Sequence, residues 1–227
     1  MGYGQFCPVA KAMEILGERW TLLIVRELLM GGTRFNELQR GLSLISPTIL
    51  TKRLNMLEEY GLVIRKKIPG QRGYEYFLSE SGRDLLPVVE QVGNWGMRWA
   101  RGKMADTDLD VELLMLYLQR SIRPGKLVGS QTVIRFHFTD LKQFSNWWIM
   151  VRDDQVDICA QDPGKDIDVY FTVDLRTMIE AWMGDISYRE AIADGRLKLV
   201  GHKALTRDIS SWMADSVFAG IPPARQI

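Results

Sequence analysis

The stretch SPTILTKRLNMLEEYG, Ser46 to Gly61, carries the signals of a complete helix. Ser46 is a capping residue, Pro47 falls at the first helical position where its missing N–H costs nothing, and Gly61 marks the end. Leu50, Leu54 and Leu57 follow at i, i+4 and i+7 and give one apolar face. Ser46, Thr48, Thr51, Lys52 and Asn55 lie off that face, a short polar edge with donors, acceptors and one cation near the helix N-terminus. The second helix of a helix-turn-helix reads DNA with such an edge. An ordinary amphipathic surface helix has the same spacing, so the flanking sequence has to choose.

Working toward the N-terminus, Gly41 to Ile45 read as a turn, and Arg34 to Leu38 as a short helix with Phe35 and Leu38 inward. Gly31-Gly32 end a largely buried helix over Arg19 to Leu29. Pro8 and Gly17 bracket another, with Val9, Ala12, Met13 and Leu16 as its stripe. Toward the C-terminus, Leu62 to Ile68 is a strand by its branched residues, Pro69 to Gly73 a turn, and Tyr74 to Leu78 a second strand. This hairpin has cations on both arms and Arg72 near its tip. A long helix then runs from Ser79 through about Arg101, with Leu85, Val88, Val89, Val92, Trp95 and Trp99 as its apolar stripe.

Helices, a basic hairpin and a long helix in that order make a winged helix-turn-helix. In that plan the helix edge meets base edges while the hairpin meets phosphates or the minor groove. Winged helices also serve as protein-interaction modules; the cationic hairpin favours DNA. The candidate DNA contacts are Ser46, Pro47, Thr48, Thr51, Lys52 and Arg53 on the helix, and Lys66, Lys67 and Arg72 on the hairpin.

The totals agree with such a plan. The chain has 227 residues, net charge +1 and 46% hydrophobic residues, enough for two domains without staples. Residues 1–104 carry a net +5 and residues 105–227 a net −4, so only the first half is suited to a polyanion. No apolar run reaches membrane-spanning length, no secretion signal opens the chain, and two cysteines do not make a disulfide framework. A cytoplasmic protein with no membrane partner is the expectation. With only His137 and His202, the usual zinc spacings are absent. Phosphate-binding glycine motifs and a GxSxG elbow are absent too, and no carboxylate pair stands out. Neither a cofactor nor an enzymatic activity is expected.

Residues 6–99 resemble the HxlR-type transcriptional regulators. The resemblance rests on Cys7-Pro8-Val9, Ile15 to Leu28, Arg34 to Leu38, Ile45-Ser46-Pro47, Leu50 to Leu54, Leu57-Glu58, Gly61-Leu62-Val63 and Tyr74-Glu75-Tyr76. It implies a homodimer built largely from the terminal helices of the domain, on a pseudo-palindromic operator with half-sites ~34 Å apart. It also singles out Cys7 as a redox-sensing candidate. A thiol ahead of a helix N-terminus can react as thiolate, and the alternative is a small residue buried at a dimer seam.

The second half opens with a helix over Asp106–Ile122, acidic at its start and basic at its end. The domains are accordingly placed at 1–103 and 104–227, with helix 106–122 as connector. Four strands follow, at 132–138, 144–151, 155–161 and 167–173, expected to form a largely antiparallel sheet. Helices at 175–183 and 187–193, a strand at 196–200 and a last helix over 204–218 complete an α+β layer.

This half resembles the sterol-carrier-protein fold through Gly184-Asp185, Tyr188 to Ile192, Gly195 to Gly201, and Leu205 with Trp212-Met213. His202 departs from it, where a small acidic cap is expected. The resemblance implies an apolar tunnel between sheet and helices, with Phe136, Trp148, Ile158, Met178, Trp182, Met183, Trp212 and Met213 as candidate lining. Each of these also reads as plain core. The whole is an α+β protein, a winged helix-turn-helix followed by a sterol-carrier-like domain. Two functions compete: a dimeric DNA-binding regulator with a C-terminal apolar sensor, or a hydrophobic-molecule carrier whose N-terminal domain only dimerises.

Overall fold

The computed structural model describes residues 2–127 and 129–224. The chain divides into two compact units, 1–95 and 96–227. The division falls inside one helix, earlier than the expected 103/104 boundary.

The first unit begins with α1 (Pro8–Leu16), α2 (Thr21–Leu29), α3 (Phe35–Arg40) and α4 (Pro47–Glu59), followed by the hairpin β1 (Val63–Lys67) and β2 (Tyr74–Leu78). Its core joins Ile24 and Val25 of α2, Leu38 of α3, Leu50, Leu54 and Leu57 of α4, and Val63, Tyr76 and Leu78 of the hairpin. The leucines of α4 are at most 1% exposed. Burying three leucines on one face stabilises the unit by roughly 5–9 kcal/mol at ~1.5–3 kcal/mol each, which fixes the rotation of α4 and turns its other face outward.

Gly61, at φ 72°, lets the chain leave α4 sharply, and the Leu62 N–H returns to Leu57 O at 2.9 Å. The expected helix over 79–101 is two helices, α5 (Glu80–Arg83) and α6 (Leu86–Trp99). Pro87 has no N–H to continue the α5 ladder. The short α5 is held from the other side: Ser79 Oγ donates to Gly61 O at 2.6 Å and accepts from the Gly82 N–H. A Cβ on Gly82 would lie 2.2 Å from Leu62 O, so only glycine permits this approach.

The second unit holds α7 (Val111–Ser121), the strands β3 (Gln131–Phe138), β4 (Asn146–Arg152), β5 (Gln155–Cys159) and β6 (Val169–Val173), then α8 (Leu175–Met183), α9 (Tyr188–Ala193), β7 (Leu197–Gly201) and α10 (Lys203–Thr206). The start of the expected 106–122 helix is a separate 3-10 turn over Asp106–Asp108. The α-helix begins after Asp110, whose side chain accepts from the Leu113 N–H. The sheet order is β5-β4-β3-β6-β7. Its central pair, β3 and β6, is parallel and the other three pairs are antiparallel. The chain leaves β5 at one edge, passes β4 and β3, and re-enters beside β3 running the same way.

Ile134, Phe136, Phe138, Trp147, Ile149, Val169, Phe171 and Val173 share one sheet face and pack with Met178, Ala181, Trp182, Trp212 and Met213. The Phe136 and Phe171 rings stack at 4.6 Å, and Trp212 meets Phe171 edge-on at 6.3 Å. The expected final helix over 204–218 does not form. After α10 there is one 3-10 turn, Ile209–Ser211, and Met213 then pairs with Ile122. The Arg123 N–H donates to Trp212 O and the Ala214 N–H to Ser121 O, which takes those groups out of any helix. His202 does cap α10: its Nδ1 accepts from the Ala204 N–H at 3.3 Å. Among the described residues, no helix is long and apolar enough to cross a membrane.

Candidate nucleic-acid interface

The N-terminus of α4 is capped by Ser46, whose Oγ accepts from the Ile49 N–H at 3.3 Å. Ser46, Pro47, Thr48, Thr51, Lys52 and Asn55 are all exposed. Thr51 Oγ1 donates back to Pro47 O at 2.9 Å, which leaves its lone pairs outward as acceptors. The edge therefore combines a hydroxyl, an amide and an ammonium over about two turns. These groups match base-edge acceptors, donors and phosphate.

Arg53 is corrected. The structure turns it away from this edge: Nε donates to Arg19 O at 3.1 Å, one terminal nitrogen pairs with Glu18 at 2.5 Å, and the side chain is 12% exposed. Two positions on from Thr51, it projects from another side of the helix and ties α4 to the start of α2.

In the hairpin, Lys66 faces Glu75 and Lys67 faces Tyr74 across the ladder. Lys66, Lys67 and Arg72 are exposed. Lys66 lies over the Phe77 ring at 5.2 Å, while Arg65 pairs with Glu58 at 3.3 Å and covers Tyr74. Among the described residues no carboxylate is in ion-pair range of Lys52, Lys67 or Arg72. The wing is fastened at its base, where the Tyr76 N–H donates to Thr33 O at 2.8 Å and Arg34 reaches Glu75 at 3.7 Å. Tyr76 is buried there, and loss of water pushes its phenol pKa above the ordinary value.

Two acidic residues that sequence reasoning did not assign hold the frame. Glu27 is fully buried, pairs with Arg26 at 2.8 Å, and fits only because residue 41 is glycine: a Cβ there would lie 2.1 Å from its Oε2. Arg26 in turn donates to Gly41 O. The one sequence signal of Glu27 is a carboxylate next to Arg26 in the largely apolar run Leu22 to Leu29. Glu37 caps α3 by accepting from the Thr33 and Arg34 N–H groups at 2.9 and 3.0 Å. Partial burial pushes its carboxyl pKa up, but these two hydrogen bonds outweigh it and leave the pKa below the usual value.

Cys7 occupies the N-cap position of α1, half-buried, with no capping bond from its side chain. No residue of α1 is buried; Val9 is 69% and Met13 41% exposed. The outward stripe of α6, with Val88, Val92, Trp95 and Trp99, is exposed as well, and Pro87, Val88, Gln91, Val92 and Trp95 line an open apolar groove.

Of the expected tunnel residues, Phe136, Met178, Trp212 and Met213 are fully buried between sheet and helices, with Trp182 beside them and Ile158 and Met183 packed at the margin. Trp148 is corrected: it pairs with Arg135 and so points to the opposite sheet face. The uninterrupted apolar run Trp147 to Val151 hides the parity of β4 from a sequence reading. An open cleft of about 440 Å³ between Ser187–Arg189, Ile192 and Thr206–Ser210 touches none of the expected lining residues.

The pattern that defines the HxlR-like helix-turn-helix proteins matches residues 15–104, and that of the SCP-2 sterol transfer family matches residues 114–213. The chain is 38% identical over 101 residues to the HTH-type transcriptional regulator YvaP of Bacillus subtilis, 44% of this chain and 94% of that protein. The chain belongs to the HxlR-like helix-turn-helix family. A second HTH-type transcriptional regulator, from Mycobacterium tuberculosis, is 45% identical over 89 residues, 39% of this chain and 56% of its own length. Among solved structures, reduced YodB from B. subtilis is 33% identical, with a TM-score of 0.36 over 40% of this chain and 92% of that one. As an HxlR-like protein the chain is a transcriptional regulator of the helix-turn-helix type, a non-enzymatic class, with an SCP-2 domain following its DNA-binding domain.

Proposed function

We propose that this HxlR-like regulator binds its operator as a homodimer, with α4 in the major groove and the β1–β2 wing on the flanking backbone. The observation that carries this reading is the outward polar edge of α4 in the same unit as a wing whose Lys67 and Arg72 have no described acidic partner. Ser46, Pro47, Thr48, Thr51 and Lys52 meet the duplex from the helix, and Lys66, Lys67 and Arg72 from the wing. Phosphate contacts supply affinity and salt sensitivity; the helix edge supplies sequence choice. Mobility shift against fragments selected from genomic DNA tests it. Lys52→Ala and Arg72→Ala should each weaken binding at physiological salt, and unchanged binding by both refutes the placement.

Dimerisation fits the exposed apolar stripes of α1 and α6, since exposed apolar patches mark protein contact. The SCP-2 domain is the proposed sensor for a hydrophobic molecule taken between sheet and helices, where Met178, Met183 and Met213 make the layer adaptable. Such a ligand changes DNA affinity only by binding the two regulator states unequally. Lipid retention by a protein that shifts no DNA at low salt would favour the carrier reading instead. A thiol switch at Cys7 is a further reading, favoured by its half-buried place at the head of the exposed α1 stripe. Unaltered DNA affinity after oxidant treatment refutes it. The proposed compartment is the cytoplasm, where such a regulator meets its operator.

A further inference from the structure

The sheet face opposite the apolar layer carries a continuous row across all five strands: Cys159, Trp148, Arg135, Tyr170 and Val200 are successive partners in register. Arg135 stands on the central strand with its guanidinium 5.8 Å from the Trp148 ring and 6.0 Å from the Tyr170 ring. One of its terminal nitrogens donates to Asn146 Oδ1 at 2.9 Å, an oxygen that His137 Nδ1 also approaches at 3.0 Å. Two donors in the row are left over. Arg135 Nε and Trp148 Nε1 are both buried and have no hydrogen-bond partner among the described residues, and Trp148 is only 6% exposed. No described carboxylate forms an ion pair with Arg135.

A buried donor without an acceptor costs ~1–3 kcal/mol, and more when the group is charged. Two such donors at directly paired positions, one on an unneutralised cation, form a local deficit of acceptors and of negative charge. A water could take the hydrogen bonds but would leave the charge. A carboxylate that reaches both N–H groups would satisfy them and neutralise the guanidinium. The row continues over Tyr170 and Val200, 37% and 50% exposed, which gives an organic acid apolar surface beside the charged centre.

We propose that this sheet face binds an organic carboxylate, held by Arg135 and the indole N–H of Trp148. The site is separate from the sheet–helix layer and from the DNA edge, and does not rest on either of those readings.

The test uses the full chain with its tryptophans labelled with ¹⁵N at the indole, the Trp148 signal being assigned by Trp148→Phe. Benzoate is titrated at constant ionic strength. The expected result is a saturable downfield shift of the Trp148 indole proton, lost in Arg135→Met. Arg135→Lys keeps a charge without the Nε–H fork and should weaken the response at least tenfold, so it serves where the Met variant does not fold. A response that never saturates, that chloride or inorganic phosphate reproduces, or that persists unchanged in the Arg135 variants overturns the proposal.

Discussion

Arg72→Ala offers the sharpest test of the interface, because its effect is a slope rather than a single affinity. In the proposed dimer each protomer presents four exposed cations outside the described ion pairs on the helix edge and wing: Lys52, Lys66, Lys67 and Arg72. If all reach phosphates, a dimer makes eight contacts, and log K should fall against log salt with a slope of about −7, at ~0.9 per contact. Removing Arg72 from both protomers leaves six contacts and a slope of about −5. Between 50 and 200 mM salt, each contact accounts for roughly a 3- to 4-fold loss of affinity, so the variant should lose about tenfold less than the parent over that range. The measurement is fluorescence anisotropy of a labelled operator at five or six salt concentrations, with circular dichroism to show that the variant folds. A parent slope shallower than about −2, or an Arg72→Ala slope equal to the parent's, would refute the counting and with it the placement of the wing on the backbone.

Gly82→Ala should destabilise the first unit by about 1–3 kcal/mol, read from denaturant unfolding, because its Cβ meets the rigid carbonyl of Leu62. Glu37 has a folded-state pKa below the ordinary 4.5, so its contribution is present above that value and lost as pH falls through the folded pKa. Glu37→Gln should therefore lower the melting temperature at pH 7 and flatten its decline below about pH 4.5, as thermal melts across pH would show. Val92→Glu places a charge in the exposed α6 stripe and should turn a dimer into a monomer by analytical ultracentrifugation, with operator affinity lost in parallel. A variant still dimeric would move the proposed seam elsewhere. Trp212→Phe removes the indole that donates to the buried Leu205 carbonyl at 2.9 Å, and should cost the second unit about 1–3 kcal/mol in the same unfolding assay.

Local pattern was enough for much of this protein. The caps and leucine spacing of α4, the turn residues between β1 and β2, and the period-two alternation of β3, β5 and β6 depend on neighbours a few residues apart, and each was legible from the chain alone. The outward set Ser46, Thr48, Thr51, Lys52 and Asn55 followed from the same periodicity. What failed were groups whose partners lie far away in sequence. Arg53 has helical spacing compatible with the edge, yet its charge is spent on Glu18, 35 residues earlier. The stretch 204–218 has helical periodicity, yet its backbone pairs with the end of α7.

Residue types and short-range spacing determined the element order, the basic wing, and the absence of the usual zinc and nucleotide motifs. Tertiary structure alone decided that β6 lies parallel to β3, that β7 closes the far edge, and that Trp148 joins Arg135 and Tyr170 rather than the apolar layer. The physical reason is that a strand's two faces are equivalent until pairing fixes its register. A run as apolar as Trp147 to Val151 leaves that choice to the strands beside it, β3 and β5.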